Sequence, residues 1–173
     1  MQALERVGDA EYVETCGMLL DDFVVGAVVH HRPGRTISEV DNTWMTLLSM
    51  NQHPLHFDVE YARGTEFERV LVNSVVTFAI INGMTVRSMS ARTIANLGWD
   101  EVRLPNPVFI GDTLYARSKV LDVRESRSRP GQGIVTIETI GHKPDGVVVL
   151  TCRRSFLVPK RDSAASQEKS MTP

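Results

Sequence analysis

Residues Asn73-Ser74-Val75-Val76-Thr77-Phe78-Ala79-Ile80-Ile81-Asn82-Gly83-Met84-Thr85-Val86-Arg87-Ser88-Met89 decide the fold. The stretch is apolar on nearly every face, and a helix that is apolar all round is a buried one. Its β-branched content would equally allow a strand, but the length argues for helix, with Gly83 as a point of close backbone packing. One buried helix spanning about residues 73–89 is therefore expected.

Downstream of it, apolar and β-branched runs occupy residues 108–110, 113–123, 134–141 and 147–158, separated by Gly111-Asp112, Pro130-Gly131 and Pro144-Asp145-Gly146. Long strands joined by turn residues read as an antiparallel meander. A buried helix followed by such a sheet is an α+β arrangement with the sheet wrapping the helix. Upstream, residues 23–29 are short and β-branched, which predicts a first strand, and Pro33-Gly34 is expected to close it with a turn. Asp41 stands as an N-cap before Trp44, Leu47 and Leu48, apolar at helical spacing, so a short helix is expected to deliver the chain to Asn51. Trp44 and Trp99 are expected in the core.

With 173 residues, 42% of them hydrophobic, the chain has the size of one domain with a sizeable core. A net charge of -2 leaves no electrostatic footprint for nucleic acid and no polybasic surface for anionic lipid. No run is apolar over the length that spans a bilayer, and the acidic start around Glu5, Asp9, Glu11 and Glu14 is not a targeting signal. Cys16 and Cys152 lie far apart without metal-type spacing, which favours a reduced, cytoplasmic setting. Residues 1–17 read as a polar N-terminal arm, 18–160 as the domain, and 161–173, rich in Ser, Ala, Gln, Lys and Glu, as a disordered tail.

Chemistry concentrates in Asn51-Gln52-His53-Pro54-Leu55-His56-Phe57-Asp58, which sets two histidines, two amides and a carboxylate around one proline. The proline ring keeps His53 out of helical geometry, so His56 is aimed from a turn. Spacing alone leaves two readings open, a catalytic imidazole or polar residues capping the helix that starts near Val59. Asp58 reads first as a helix N-terminal acid. His30, His31 and His142 have no carboxylate at metal spacing, so no metal site is expected. Arg35, Arg87 and Arg92 are candidates for a substrate carboxylate or for phosphates.

The same segment resembles the motif of MaoC-like dehydratases and (R)-specific enoyl-CoA hydratases, Asp-x-Asn-Pro-x-His-x-Asp, a Tyr-Ala or Phe-Ala pair, then Phe-Glu-Arg-Pro-Ile-Val-His-Gly. Pro54, His56, Asp58, Tyr61-Ala62, Phe67-Glu68-Arg69 and Val72 match in order and spacing. The family's catalytic aspartate falls on Asn51, its motif asparagine on His53 and its His-Gly pair on Asn73-Ser74. Ala95-Asn96-Leu97-Gly98-Trp99-Asp100-Glu101-Val102-Arg103, with residues 107–114, Gly34-Arg35-Thr36-Ile37 and Asp41-Asn42, resembles the branch that handles mesaconyl-CoA and itaconyl-CoA.

The resemblance implies a hot-dog fold over residues 18–160 and a hydro-lyase acting on a branched, carboxylated C5 enoyl thioester. The reactions in view are itaconyl-CoA to citramalyl-CoA and mesaconyl-CoA to methylmalyl-CoA. Coenzyme A enters as part of the substrate, and no other cofactor is implied. His56 takes the position of the family's histidine. Asn51 cannot accept a proton, since an amide offers only donors and a hydrogen-bond acceptor, so it would orient water or polarise a carbonyl. Ser74, in the place of the family's glycine, would offer its backbone N–H to the thioester oxygen at a helix N-terminus. His53, Asn73 and Asn82 are the further expected substrate contacts. A hot-dog thioesterase is the alternative, although no acid lies between Val70 and Met89 to activate water. A non-catalytic acyl-CoA-binding subunit of a heteromeric hydratase is a third reading, with Asn51 its main support. One sheet on one helix leaves an edge exposed, so a homodimer or larger homo-oligomer is expected.

Overall fold

The computed structural model describes residues 3–164. Strands β1 (Ala3–Arg6) and β2 (Tyr12–Thr15) form a hairpin, followed by β3 (Val28–Thr36), α1 (Glu39–Leu48), α2 (Val59–Arg63) and α3 (Ser74–Thr85). Strands β4 (Ala95–Arg103), β5 (Thr113–Glu125), β6 (Gln132–His142) and β7 (Val148–Pro159) complete the domain. The large sheet is antiparallel throughout, in the order β3-β5-β6-β7-β4, and α3 lies across it. This is the expected α+β arrangement with a central helix.

The helix forms where the apolar run demands it and continues through a wider π turn, Val86–Ser90. Val76, Thr77, Ile81 and Thr85 face the sheet, while Val75 and Val86 stay exposed. The helix is thus buried on one side only within a single chain. Close approach to the sheet depends on Gly141 in β6: a Cβ there would stand 2.6 Å from Ile81 Cδ1. Strand β6 alternates strictly between buried and half-buried positions, the period of a pleated strand with one face on a core.

Two apolar clusters fill the space between helix and sheet. One gathers Ile37, Val76, Ile81, Leu114, Val149 and Leu150, the other Phe23, Met89, Val120, Val135, Ile137 and Phe156. A polar seam crosses the sheet between them. His31 Nδ1 meets Ser88 Oγ at 2.7 Å and its Nε2 meets Ser118 Oγ at 2.8 Å, and Ser118 Oγ meets Thr139 Oγ1 at 2.8 Å. Arg154, also buried, donates Nε–H to Asn96 Oδ1 at 2.7 Å and Nη1–H to Thr85 and Ser90.

Burial, with a smaller push from His30, lowers the His31 pKa to about 4. The unfolded chain takes up a proton on this side chain near its ordinary value of about 6.5, and the folded chain refuses it. The contribution of a neutral His31 is therefore complete above about pH 6.5 and is lost progressively as pH falls towards 4. Thermal melts of wild type and His31→Gln across that range should converge on acidification. Parallel curves would show that His31 does not carry this acid sensitivity.

Several expectations are corrected. The polar arm at the N-terminus contains the β1–β2 hairpin, which is tied to the core where Gly17 and Met18 donate to the carbonyls of Arg87 and Met89. Residues 23–29 do not form the first strand. Leu20–Asp22 is a 3-10 turn and Phe23 turns inward to meet the Phe156 ring edge-on at 5.9 Å, so extended pairing starts only at Val28. Pro33-Gly34 lies inside β3, where the register shifts between His31 and Arg35, and a Cβ on Gly34 would fall 2.4 Å from the Tyr115 ring. Residues 108–110 pair only through a single bridge from Phe109 to Leu71.

At the C-terminus, residues 161–164 make a helical turn instead of opening the tail. Arg161 bonds through its backbone to Asp21 and through its side chain to Asp22, and Ala164 is buried. The rest of the expected tail lies outside the described residues.

The α1 helix is capped by Ser38, with Asp41 as its reciprocal partner three residues on. Its apolar stripe points away from the core: Trp44 is 65% exposed, Leu47 71% and Leu48 72%, whereas Asn42 and Thr46 are buried. Trp99 is not a core residue either, being partly exposed while its indole meets Phe78 edge-on.

Candidate active site

The site forms where the end of α1, the turn around Pro54 and the N-terminus of α3 converge. Met50 adopts a left-handed conformation (φ 54°), and the paired bonds Met50 N–H to Leu47 O and Asn51 N–H to Thr46 O close α1 in a Schellman motif. Asn51 follows at once. Its Oδ1 accepts from the His53 backbone at 3.1 Å, so the side chain's NH2 group is the part left to act.

The His-Pro pair does what its sterics dictate. His53 is extended (φ -71°, ψ 119°) and its Nδ1 caps the 3-10 turn Pro54–His56 by accepting from Leu55 N–H at 3.2 Å. Its exposed ring sits 5.9 Å from those of both His56 and Tyr61. Asp58 caps α2 by accepting from Tyr61 N–H at 3.0 Å, the structural role read for it.

His56 is half-buried, and its Nδ1 lies 2.9 Å from the Leu71 carbonyl oxygen. A carbonyl only accepts, so Nδ1 carries the proton in the neutral ring and Nε2 keeps a free lone pair. That is the tautomer a general base needs.

Leu71 also lines a cavity of about 290 Å³ with Phe67, Ser74, Thr77, Asn106 and Val108. Ser74 opens α3. Of the first amides of this helix, Val75 donates to the Asn73 side chain and Val76 and Thr77 to the Asn73 carbonyl. Among the described residues nothing accepts from Ser74 N–H, which leaves an amide with the helix dipole behind it at the cavity.

The two remaining expected contacts lie elsewhere. Asn73 is fully buried as the cap of α3, with Oδ1 on Val75 N–H and Nδ2 on Thr46 Oγ1 at 3.3 Å, so it does not face the cavity. Asn82 accepts from the Trp99 indole at 3.2 Å and lies about 12 Å along α3 from Ser74, at 1.5 Å per residue. Thr77 carries no mark in the sequence, and Asn42 enters there only within the Asp41-Asn42 match. The i, i+4 pair Asn42 and Thr46 was the available signal, two polar side chains on one face of a helix whose other face is apolar.

A larger groove of about 620 Å³ runs between β3, α1 and α3, floored by Met45, Val76, Ile80 and Met84. Arg35 and Arg87 line it, paired with Asp41 and Glu14 respectively. Among the described residues no cluster of His, Cys, Asp or Glu could hold a metal ion, and no helix is long and apolar enough to cross a membrane.

The family model for mesaconyl-CoA hydratase matches residues 1–172. The chain belongs to the mesaconyl-CoA hydratase family. Mesaconyl-CoA hydratase of Cereibacter sphaeroides is 34% identical over 149 residues, covering 86% of this chain and 43% of that protein. The β-methylmalyl-CoA dehydratase of Chloroflexus aurantiacus is 32% identical over 157 residues, covering 91% and 44%.

Among solved structures, a MaoC domain protein dehydratase from Chloroflexus aurantiacus superposes with a TM-score of 0.79 at 33% identity, covering 84% of this chain and 41% of that one. The MaoC-like dehydratase from Rhodospirillum rubrum gives 0.74 at 28% identity, covering 84% and 99%. A Mycobacterium tuberculosis protein described as a double hotdog fold gives 0.74 at 23% identity, covering 83% and 44%, a likeness of fold alone. The hot-dog fold is thereby established for this member of the mesaconyl-CoA hydratase family. The chain spans less than half the length of the curated mesaconyl-CoA hydratases it matches.

Proposed function

We propose that the chain is a hydro-lyase that reversibly adds water across the double bond of a branched, carboxylated C5 enoyl thioester of coenzyme A. Mesaconyl-CoA is the first candidate and itaconyl-CoA the second. The observation that carries this reading is the bond from His56 Nδ1 to Leu71 O, which leaves Nε2 free beside a residue that lines the same cavity as the unengaged Ser74 amide, in a chain of this family. The thioester oxygen would accept from Ser74 N–H as it gains enolate character, where a preorganised donor lowers the barrier most. His56 Nε2 would take a proton from water as the hydroxyl group bonds to the β-carbon, then return that proton to the α-carbon. The Asn51 NH2 group would orient the water. Arg35 and Arg87 in the larger groove between β3, α1 and α3 suit an anionic part of the substrate.

A second copy of the chain is proposed to complete the unit. The outward apolar stripe of α1 and the open side of α3 support this, because such faces on one molecule ask for a cover.

Incubation of the purified chain with mesaconyl-CoA, citramalyl-CoA and crotonyl-CoA tests the proposal. Interconversion of a charged enoyl thioester and its hydroxyacyl product, with slower reaction of crotonyl-CoA, is expected. Release of free thiol without hydration would identify a thioesterase and overturn the reading.

A further inference from the structure

One turn of α1 touches every segment of the site. Thr46 O accepts from Asn51 N–H at 3.1 Å, Thr46 Oγ1 accepts from Asn73 Nδ2, and Asn42 does more. Its Nδ2 donates to the His56 carbonyl oxygen at 2.7 Å, and its Oδ1 accepts from Asn73 N–H at 2.9 Å. The residue is 1% exposed, so water offers no substitute for either bond.

Asn42 is thus a single rigid amide spanning the imidazole-bearing turn and the cap residue immediately before Ser74. We infer that Asn42 is a positioning residue, setting the separation and orientation between the His56 imidazole and the Ser74 amide. This rests on the hydro-lyase reading only for its kinetic consequence, since the geometry itself is read without it.

The bond from His56 Nδ1 to Leu71 O fixes the ring only if the turn beneath it stays at the right distance from residues 71–73. That distance is held by the backbone bond from Leu71 N–H to Leu55 O at 3.1 Å and by the two bonds of the Asn42 bridge. Removing the bridge leaves one direct backbone bond between the turn and residues 71–73, with Thr46 as an indirect link through Asn51 N–H and Asn73 Nδ2. A displacement on the order of 1 Å between a base and the group that polarises its substrate lowers turnover about 10²-fold without abolishing binding.

Two variants separate positioning from general support of the fold. Asn42→Ala removes both bonds. Asn42→Asp keeps the acceptor for Asn73 N–H but sets an oxygen against the His56 carbonyl, and burial raises the pKa of the introduced carboxyl. Once protonated, that carboxyl can donate to His56 O as the amide did. Rates with mesaconyl-CoA are measured per folded molecule, with folding followed by circular dichroism.

Asn42→Ala is expected to lose about 10²-fold in kcat with KM within a few fold. For Asn42→Asp, the ratio of its kcat to the wild-type kcat should rise as pH is lowered. Folded variants with kcat within twofold of wild type, or a ratio flat with pH, would overturn the inference. If wild type hydrates none of the thioesters, the proposed function fails, and Asn42 is judged instead by nitrogen-15 NMR of the His56 ring. The wild-type ring should show the Nδ1–H tautomer alone and Asn42→Ala a mixture. The same single tautomer in both would refute the positioning role.

Discussion

His56→Ala should abolish hydration of mesaconyl-CoA, with a loss of at least about 10³-fold, while the protein still folds. The magnitude follows from the two roles assigned to one group. A positioned acid or base contributes about 10²–10⁴-fold, and here the same imidazole takes the proton from water and delivers it to carbon. The fold should survive because the ring is half-buried and belongs to neither apolar cluster. The Leu71 carbonyl that holds its Nδ1 lies beside the cavity and can turn to solvent. Steady-state rates with a thermal melt on the same sample check this, and activity within a few fold of wild type would remove His56 from the mechanism.

Asn51 carries the second large effect. If its NH2 group orients the attacking water, Asn51→Ala should lower kcat about 10²-fold, the usual cost of one oriented donor, with thioester affinity nearly unchanged. The turn would lose the bond from His53 N–H to Asn51 Oδ1, but the Schellman closure of α1 is made by backbone groups and remains. Asn51→Asp keeps that acceptor and adds a negative charge, so it should slow a carboxylated substrate by repulsion and raise turnover of uncharged crotonyl-CoA. Equal rates for all three proteins on the charged substrate would refute any role for Asn51.

The parts of the fold that could be read in advance are those where one physical pattern acts without interruption. An apolar run of helical length, opened by an asparagine cap, has little alternative to α3. The β5–β6–β7 meander is legible because apolar, β-branched runs of strand length lie between turn residues, with strict alternation in β6. Strand β4 was not read as a strand, since register shifts at Asn96/Gly98 and Asp100/Arg103 break its alternation and most of its side chains stay exposed.

The orientation of α1 was misjudged for a different reason. Trp44 reads as a core residue from its spacing, but Asn42 and Thr46 are needed inward to satisfy the backbone of His56 and the cap of α3. The polar seam of Ser118, Thr139 and Arg154 was hidden by the strands around it, whose neighbouring inward residues are apolar.

In the site, His-Pro announced the turn that aims His56, and Asp58 announced its cap. Asn73 was placed by type and not by partner: an asparagine before a helix serves the helix's own amides first. Asn82 shares a helix with Ser74 but not an end of it. Beyond the Asp41-Asn42 match, the only mark Asn42 leaves in the sequence is its i, i+4 spacing to Thr46, because its two partners are backbone groups distant in sequence.

The most direct test of the account is mass spectrometry of mesaconyl-CoA incubated with the purified chain alone, beside His56→Ala. The account predicts that wild type adds one water to the thioester with coenzyme A still attached, and that the variant leaves it unchanged over the same time. No added water with wild type, or equal conversion by both proteins, would contradict it.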